Sequence, residues 1–309
     1  MEPVLISIII PTYNRADLLP ETLDSVLNQS YETWECIIVD DGSSDHTPEI
    51  ADQYTQKDAR FKFFQRPADR KTGGNGARNF GFLKSNGKYI KWLDSDDLIA
   101  KDLLQKETQL LSQENPDLIV SSWMYFDSAN THFPERNRLV KAAPKNGIDL
   151  LNKMGELGEF TPPPSYLLKR EIVYLTGLWN ENLRNNQDGE FSFRFLNYCT
   201  SIKYTDTIGT IVRKDSTEKA MQKQISGNME ARLKSWQCIE SMIEARENPQ
   251  QLAAYIEGHQ SILYHELKNT GNWKLILKFR GFFRKNIKSE RSRKAKAKFL
   301  YYQFKNFFS

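Results

Sequence analysis

The first half of the chain alternates short β-branched runs with amphipathic stretches, each closed by turn formers. Residues 5–10, with four isoleucines, stop at Pro11 and read as a buried strand. Over 18–28, Leu19, Leu23, Val26 and Leu27 fall on one face of a helix. Residues 34–39 read as a second buried strand. It runs into Asp40-Asp41-Gly42-Ser43-Ser44-Asp45, a loop of turn and capping residues. A polar helix to about residue 56, a strand at 61–64 and a helix at 76–85 follow. A fourth strand, 89–93, ends at Asp94-Ser95-Asp96-Asp97, where Asp97 is expected to cap a helix over 101–112. A further strand covers 118–125. Strands separated by helices of ~10–15 residues predict an α/β fold, a mostly parallel sheet flanked by helices on both faces.

The pattern then loosens. Residues 127–147 are polar and turn-rich, and the prolines of Thr161-Pro162-Pro163-Pro164 exclude that stretch from a central strand. Residues 166–168 read as an edge strand. A helix over 190–198 would bury Phe191, Phe195 and Leu196, and 208–212 is the last strand signal. Beyond about residue 219 only helical patterns remain, over 221–246, 251–268, 273–287 and 292–308. The expected division is an α/β body over 1–219 and a helical C-terminal extension over 220–309.

Composition narrows the class. The 309 residues are 39% hydrophobic, 27% charged and 12% aromatic, which excludes a disordered or collagen-like chain. The longest strongly apolar run falls far short of the ~20 residues a bilayer crossing needs. Glu2 stands where a signal peptide would carry a base, and no cleavage site follows an apolar stretch. Cys36, Cys199 and Cys238 form neither a disulfide framework nor a metal-binding pair, so the compartment reads as reducing cytoplasm. Charge is uneven. Residues 274–309 hold twelve Lys or Arg and one acid, a charge of +11, while the rest holds 31 bases and 38 acids. An acidic body with a basic tail argues against a uniform nucleic-acid-binding surface.

Ligands of open α/β sheets bind at the carboxyl ends of the strands. Three strands here end in polar clusters: Pro11-Thr12-Tyr13-Asn14-Arg15, Asp40-Asp41-Gly42-Ser43 and Asp94-Ser95-Asp96-Asp97. In extended chain, Asp94 and Asp96 point the same way, so both carboxylates can face one hard divalent cation such as Mg²⁺ or Mn²⁺. Such an ion would neutralise charge on a departing diphosphate. Common phosphate motifs fail: Asn79 stands where GxGxxG needs its last Gly, and the run to Gly87-Lys88-Tyr89 is one residue too long for a P-loop and lacks its Ser or Thr. His46, His132, His259 and His265 are too scattered for a zinc pair and read as surface or structural residues.

Together, residues 8–15, 38–45, Gly76-Ala77-Arg78-Asn79 and 93–97 resemble, in order and spacing, the family 2 glycosyltransferases of the GT-A fold. The resemblance is close over 4–112, looser to about 216, and does not cover the helical tail. It implies an inverting enzyme that moves a sugar from a nucleotide donor, UDP-linked in most relatives, to an acceptor hydroxyl in surface polysaccharide, glycolipid or related glycan assembly. Residues 1–112 would bind the donor and 113–219 would form the acceptor side. Pro11, Thr12, Tyr13, Asn14 and Arg15 would line the nucleotide pocket, and Asp40 or Asp41 would bind the base. Arg78 would help place the diphosphate or sugar, with Asp94 and Ser95 near the ribose and donor sugar. Asp96 would be the main ligand of Mn²⁺ or Mg²⁺, with Asp94 and Asp215 as further candidates.

Relatives carry the general base in a Glu-Asp pair at a helix start. Here Gln187 replaces the Glu, leaving Asp188 as the base, ionised by the helix N-terminus, and Glu190 as fallback. Relatives also carry Arg-x-His after the last strand, where this chain has Arg213-Lys214-Asp215. These departures keep open a sugar-nucleotide-binding protein without catalysis. A second alternative, a sugar-phosphate nucleotidyltransferase, would want a Gly-rich basic loop where Pro11-Thr12-Tyr13-Asn14 stands. In the tail, Phe279, Phe282, Phe283, Phe299, Tyr301, Tyr302, Phe304, Phe307 and Phe308 interleave with bases. Either the tail lies on an anionic membrane surface, where lipid-linked acceptors would be found, or its aromatics pack on the body. The membrane reading is the expectation, which makes the protein cytoplasmic and peripheral on the inner face.

Overall fold

The computed structural model describes residues 3–127, 134–183, 185–214 and 229–290. Its strands are β1 Ile6–Thr12, β2 Trp34–Asp40, β3 Phe61–Gln65, β4 Tyr89–Trp92, β5 Leu98–Ile99, β6 Leu118–Phe126, β7 Tyr166–Lys169 and β8 Ile202–Arg213. They form one sheet in the order β3-β2-β1-β4-β7-β6-β8-β5. The block β3-β2-β1-β4 is parallel. β7 runs antiparallel between β4 and β6, β6 and β8 are parallel, and β5 is antiparallel to β8. The mixed α/β sheet flanked by helices is the expected class, with two differences. β7 is a central strand, because its two neighbours pair with both of its edges, whereas the sequence suggested an edge. β8 begins at Ile202, six residues before its apolar run, because pairing with β6 holds its polar first half.

Alternation along the strands sends side chains to two cores. Ile8, Ile10, Cys36 and Ile38 pack with Leu19 and Leu23 of α1 (Leu19–Leu27), Ala51 of α2 (Thr47–Lys57) and Leu103 and Leu104 of α4 (Leu103–Glu114). Ile9, Ile37 and Val39 face the other way, onto Ala77 and Phe82 of α3 (Gly74–Lys84). That second core also takes in helices of the middle region: α6 (Gly147–Leu157), α7 (Arg170–Thr176) and α8 (Gln187–Leu196). A short α5 (Arg138–Ala142) lies beside them. The turn-rich reading of 127–147 passes over α5, and α6 and α7 lie where the sequence suggested no helix. Phe191, Phe195 and Leu196 are buried as expected.

The helical extension is present as α9 (Met229–Glu244), α10 (Ala253–Asn269) and α11 (Trp273–Lys278), with helix again over 284–290. The expected helical residues 221–228 and 292–308 lie outside the described residues. Leu233, Trp236, Leu263 and Leu267 join the second core. So do Ile276, Phe279, Phe282 and Phe283, the last with no exposed surface. For these three phenylalanines the membrane expectation is corrected: burial against α10 gives them an apolar environment without a bilayer. Lys278 pairs with Glu230, and Lys285 with Glu257. The exposed apolar side chains of this stretch are Trp273 and Leu277, one helical turn apart. Among the described residues no helix is long and apolar enough to cross a membrane.

Candidate active site

β1 and β2 end together, with Thr12 opposite Asp40, while β4 leaves the ladder earlier, with Trp92 opposite Ile9. The stretch 93–97 therefore turns across the gap beside β1. Two loops beside it are tied together. Asn14, at a left-handed φ of 49° that Asn tolerates, donates its backbone N–H to Ser43 Oγ and accepts the Ser44 N–H on Oδ1 at 2.8 Å. Asp45 Oδ2 accepts the Ala16 N–H and Thr47 Oγ1 accepts the Arg15 N–H.

The result is an open cavity of about 440 Å³ that gathers most of the expected donor residues: Pro11, Thr12, Tyr13, Arg15, Asp41, Arg78, Asp94, Ser95 and Asp96. Gly74 and Gln187 complete its walls. Asn14 and Asp40 are not in the lining. Asp40 is buried and accepts the backbone N–H groups of Gly42 and Ser43 and the Ser43 hydroxyl, so its carboxylate shapes the turn. Asp41 reaches the cavity, where Arg66 and the Gly73 N–H hold it.

Opposite charges face each other across the floor. Arg78 NH2 lies 2.6 Å from Asp94 Oδ1, and Arg15 Nε lies 3.6 Å from Asp96 Oδ2. Burial opposes the charge on Arg78, but Asp94, Asp188 and Asp96 outweigh it and raise its pKa. Its guanidinium also stands 4.6 Å over the ring of Trp179. Asn75 and Asn79, on the same helix, bond the backbone of residues 179–183. The Gly76-Ala77-Arg78-Asn79 motif thus aims one arginine and clamps the segment that leads to α8.

Asp97 is not a helix cap; α4 begins after Asp102. Asp97 is buried and accepts the Arg213 backbone N–H at 2.9 Å. Burial, with Asp94 and Asp96 nearby, pushes its carboxyl well above the usual range. Arg213 also donates from Nε to the Asp96 carbonyl and from NH2 to Glu21. It fastens the acidic loop to β8, a role its sequence position did not announce. Asp215 lies outside the described residues.

Among the described residues, no three His, Cys, Asp or Glu side chains converge as a metal site. Asp94 and Asp96 do share one cavity. One or two carboxylates suit a hard cation that completes its shell with water and phosphate oxygens, so the donor set fits Mg²⁺ or Mn²⁺.

At the start of α8 two adjacent residues face two cavities. Gln187 lines the one just described, and Asp188 lines a second, of about 240 Å³, bounded by residues 158–161, α9 and α10. The cap of α8 is Asn186, and Asp188 sits in its first turn. Its Oδ1 is shielded from solvent and has no hydrogen-bond partner among the described residues. Burial pushes its carboxyl up to about 6; Asp94 adds to this and Arg78 opposes it. The expectation that the helix N-terminus keeps the acid low is therefore corrected, since desolvation outweighs it. Glu190 instead gives both oxygens to Arg194, at 2.7 and 3.0 Å.

The model of the family described as "Glycosyl transferase family 2" matches residues 7–174. The chain belongs to glycosyl transferase family 2. A Haemophilus influenzae relative named "Uncharacterized glycosyltransferase" is 41% identical over 213 residues, 69% of this chain and 80% of that protein. The Bacillus subtilis "Putative teichuronic acid biosynthesis glycosyltransferase TuaG" is 39% identical over 111 residues, 36% of this chain and 43% of its own length. Against further curated relatives, the matched segment spans only 42% or 25% of their length. Among solved structures, Staphylococcus aureus TarS 1-349 in complex with UDP-GlcNAc superposes with a TM-score of 0.72 at 21% identity. The superposition covers 90% of this chain and 78% of that one, and shows the shared fold. Membership of the glycosyltransferase family sets aside the nucleotidyltransferase alternative.

Proposed function

We propose that the chain is an inverting glycosyltransferase whose donor lies in the cavity of Arg15, Arg78, Asp94 and Asp96, and whose general base is Asp188. The observation that carries this is the placement of Gln187 and Asp188 on one helical turn, facing the donor cavity and its neighbour. A base in the cavity next to the donor's would meet an acceptor hydroxyl on the side away from the departing diphosphate. The hydroxyl gives its proton to Asp188, its oxygen bonds the sugar's anomeric carbon, and the bond to the diphosphate breaks with its electron pair. One displacement inverts the centre. Arg78 and Arg15 would hold the diphosphate oxygens. A divalent cation held by Asp96 with Asp94, when bound, would neutralise charge on that leaving group.

A UDP-linked donor is supported by the shared fold with the UDP-GlcNAc complex of TarS, and surface-polysaccharide assembly by the relative named for teichuronic acid biosynthesis. The base of the nucleotide would meet Asp41, which lines the cavity where Asp40 does not. The six bases and no acid of residues 291–309 support peripheral contact with an anionic surface.

Two measurements test the reading. Calorimetry of UDP should show an affinity that rises with Mn²⁺ in the wild type and no longer does so in Asp96→Ala; unchanged Mn²⁺ dependence removes the metal assignment. Transfer from UDP-sugars should fall by about 10²–10⁴ in Asp188→Asn, the range of a lost general base. Normal transfer by Asp188→Asn with loss in Glu190→Gln would move the base to Glu190.

A further inference from the structure

The cavity beside Asp188 is built largely by parts of the chain beyond the family match, which ends at residue 174. Its inner wall is aromatic. The Trp236 and His259 rings lie 4.2 Å apart, and the His259 and Tyr255 rings 4.8 Å apart. At its rim stand Phe160 and Ile262, 54% and 38% exposed. His259 makes no hydrogen bond to any described residue, although it borders the cavity. Burial lowers its pKa to about 3, so it is a neutral ring with one donor and one acceptor nitrogen.

The charges on the walls are committed. Glu159 pairs with Arg138 at 3.0 Å, and Arg232 with Glu266 at 3.0 Å. Asp188 Oδ1 has no partner among the described residues. With Asp188 and Glu159 against a single lining cation, Arg232, that Glu266 already pairs, the pocket disfavours an anionic ligand. The aromatic wall, with the exposed Phe160 ring at its rim, suits the C–H groups of a sugar ring, and the neutral His259 suits a hydroxyl. At about 240 Å³ it is smaller than the ~300–1,000 Å³ sites of drug-sized ligands.

We infer that this cavity is the acceptor subsite, that it takes an uncharged pyranose ring, and that Trp236 and His259, supplied by α9 and α10, select it. The inference rests on Asp188 as the base, and it extends the acceptor side past residue 219 into the helical extension. The extension thereby gains a chemical role, because the helices that close the core also wall the subsite.

The test reads binding, not turnover, so failure of the base assignment would appear in the Asp188→Asn transfer rate and not here. Saturation-transfer NMR on the full chain would use the methyl β-glycosides of glucose, galactose and N-acetylglucosamine, with methyl β-glucuronide as the charged probe. At least one neutral glycoside should bind, and the glucuronide should bind about tenfold more weakly or not at all. Ile262→Trp, which fills the mouth, and Phe160→Ala, which removes the rim, should each weaken the neutral probe about fivefold or more. Both positions are exposed, and thermal melting should confirm an intact fold. His259→Phe, which keeps a ring and loses the nitrogens, should weaken it as well. The inference is overturned if no neutral glycoside binds, if the glucuronide binds as well as they do, or if the variants leave binding unchanged.

Discussion

Asp188 is a carboxyl that the fold holds against its charged form. Its carboxyl sits at about 6 against an ordinary value of 3.8, so the fold disfavours its charge. The contribution of the protonated acid to stability is fully present below about 3.8 and is lost as pH rises through about 6. Asparagine cannot ionise, so Asp188→Asn should gain on the wild type over that window and hold its gain above it. At about 1.4 kcal/mol per unit the gain is about 1–3 kcal/mol, allowing for partial exposure. Urea melts at pH 4 and pH 7 would read it, and equal differences at the two pH values would remove the burial account. As the proposed base, Asp188 would also set the acidic limb of turnover, which should then fall below about pH 6 as it takes up a proton. The place of Asp188 at the start of a helix was legible from the Gln187-Asp188 pair. Its state was not, because the walls that dry it come from residues 158–161, α9 and α10, distant in sequence. Asp97 makes the same point: a capping position by pattern, it is held instead by an N–H from β8, 116 residues away.

Among the elements, the parallel block was legible because each of its strands is a β-branched or aromatic run closed by a polar turn. The middle was less so. β7 is four residues long and its sequence does not reveal that both edges pair. In α6, Asn146 caps the helix through the Asp149 N–H, and Leu150, Leu151 and Met154 form its buried face. Those signals were present, but Pro144 and Gly147 beside them read as a turn. The position of α10 depends on contacts no local pattern shows. A Cβ at Gly258 would meet the Gly155 carbonyl oxygen at 2.1 Å, and one at Gly155 would meet the Ala254 oxygen at 2.2 Å. Two glycines thus let the backbones of α6 and α10 touch, which brings Tyr255 and His259 against residues 158–161. Gly258→Val should force the helices apart, costing about 1–3 kcal/mol by overpacking. Melting should fall by at least ~2 °C, and an unchanged melt would show that the two helices can separate freely.

For the molecule as a whole, Ile276, Phe279, Phe282 and Phe283 belong to the core and not to a surface. A chain ending at Asn272 loses Ile276, Phe279, Phe282 and Phe283, all interior. At about 1.5–3 kcal/mol for each buried side chain, the loss is comparable to the ~5–15 kcal/mol net stability of a typical protein. That chain should aggregate or fail to fold, so it is the wrong probe of membrane contact. The full chain is the right one. With these phenylalanines inside, the attraction that residues 274–290 offer an anionic surface rests mainly on bases, which salt screens; at 1 M the screening length is ~3 Å. Co-sedimentation with anionic vesicles should therefore be strong at low salt and fall steeply as salt rises. Trp273 and Leu277, exposed on one face of α11, are the described apolar side chains placed to resist salt. Any binding that survives high salt should disappear when both are changed to Ala, without a change in melting temperature. Survival of that fraction in the double variant would assign insertion to another segment. A wild-type chain that stays in the supernatant at low salt would remove membrane contact altogether and leave residues 274–290 with packing as their whole role.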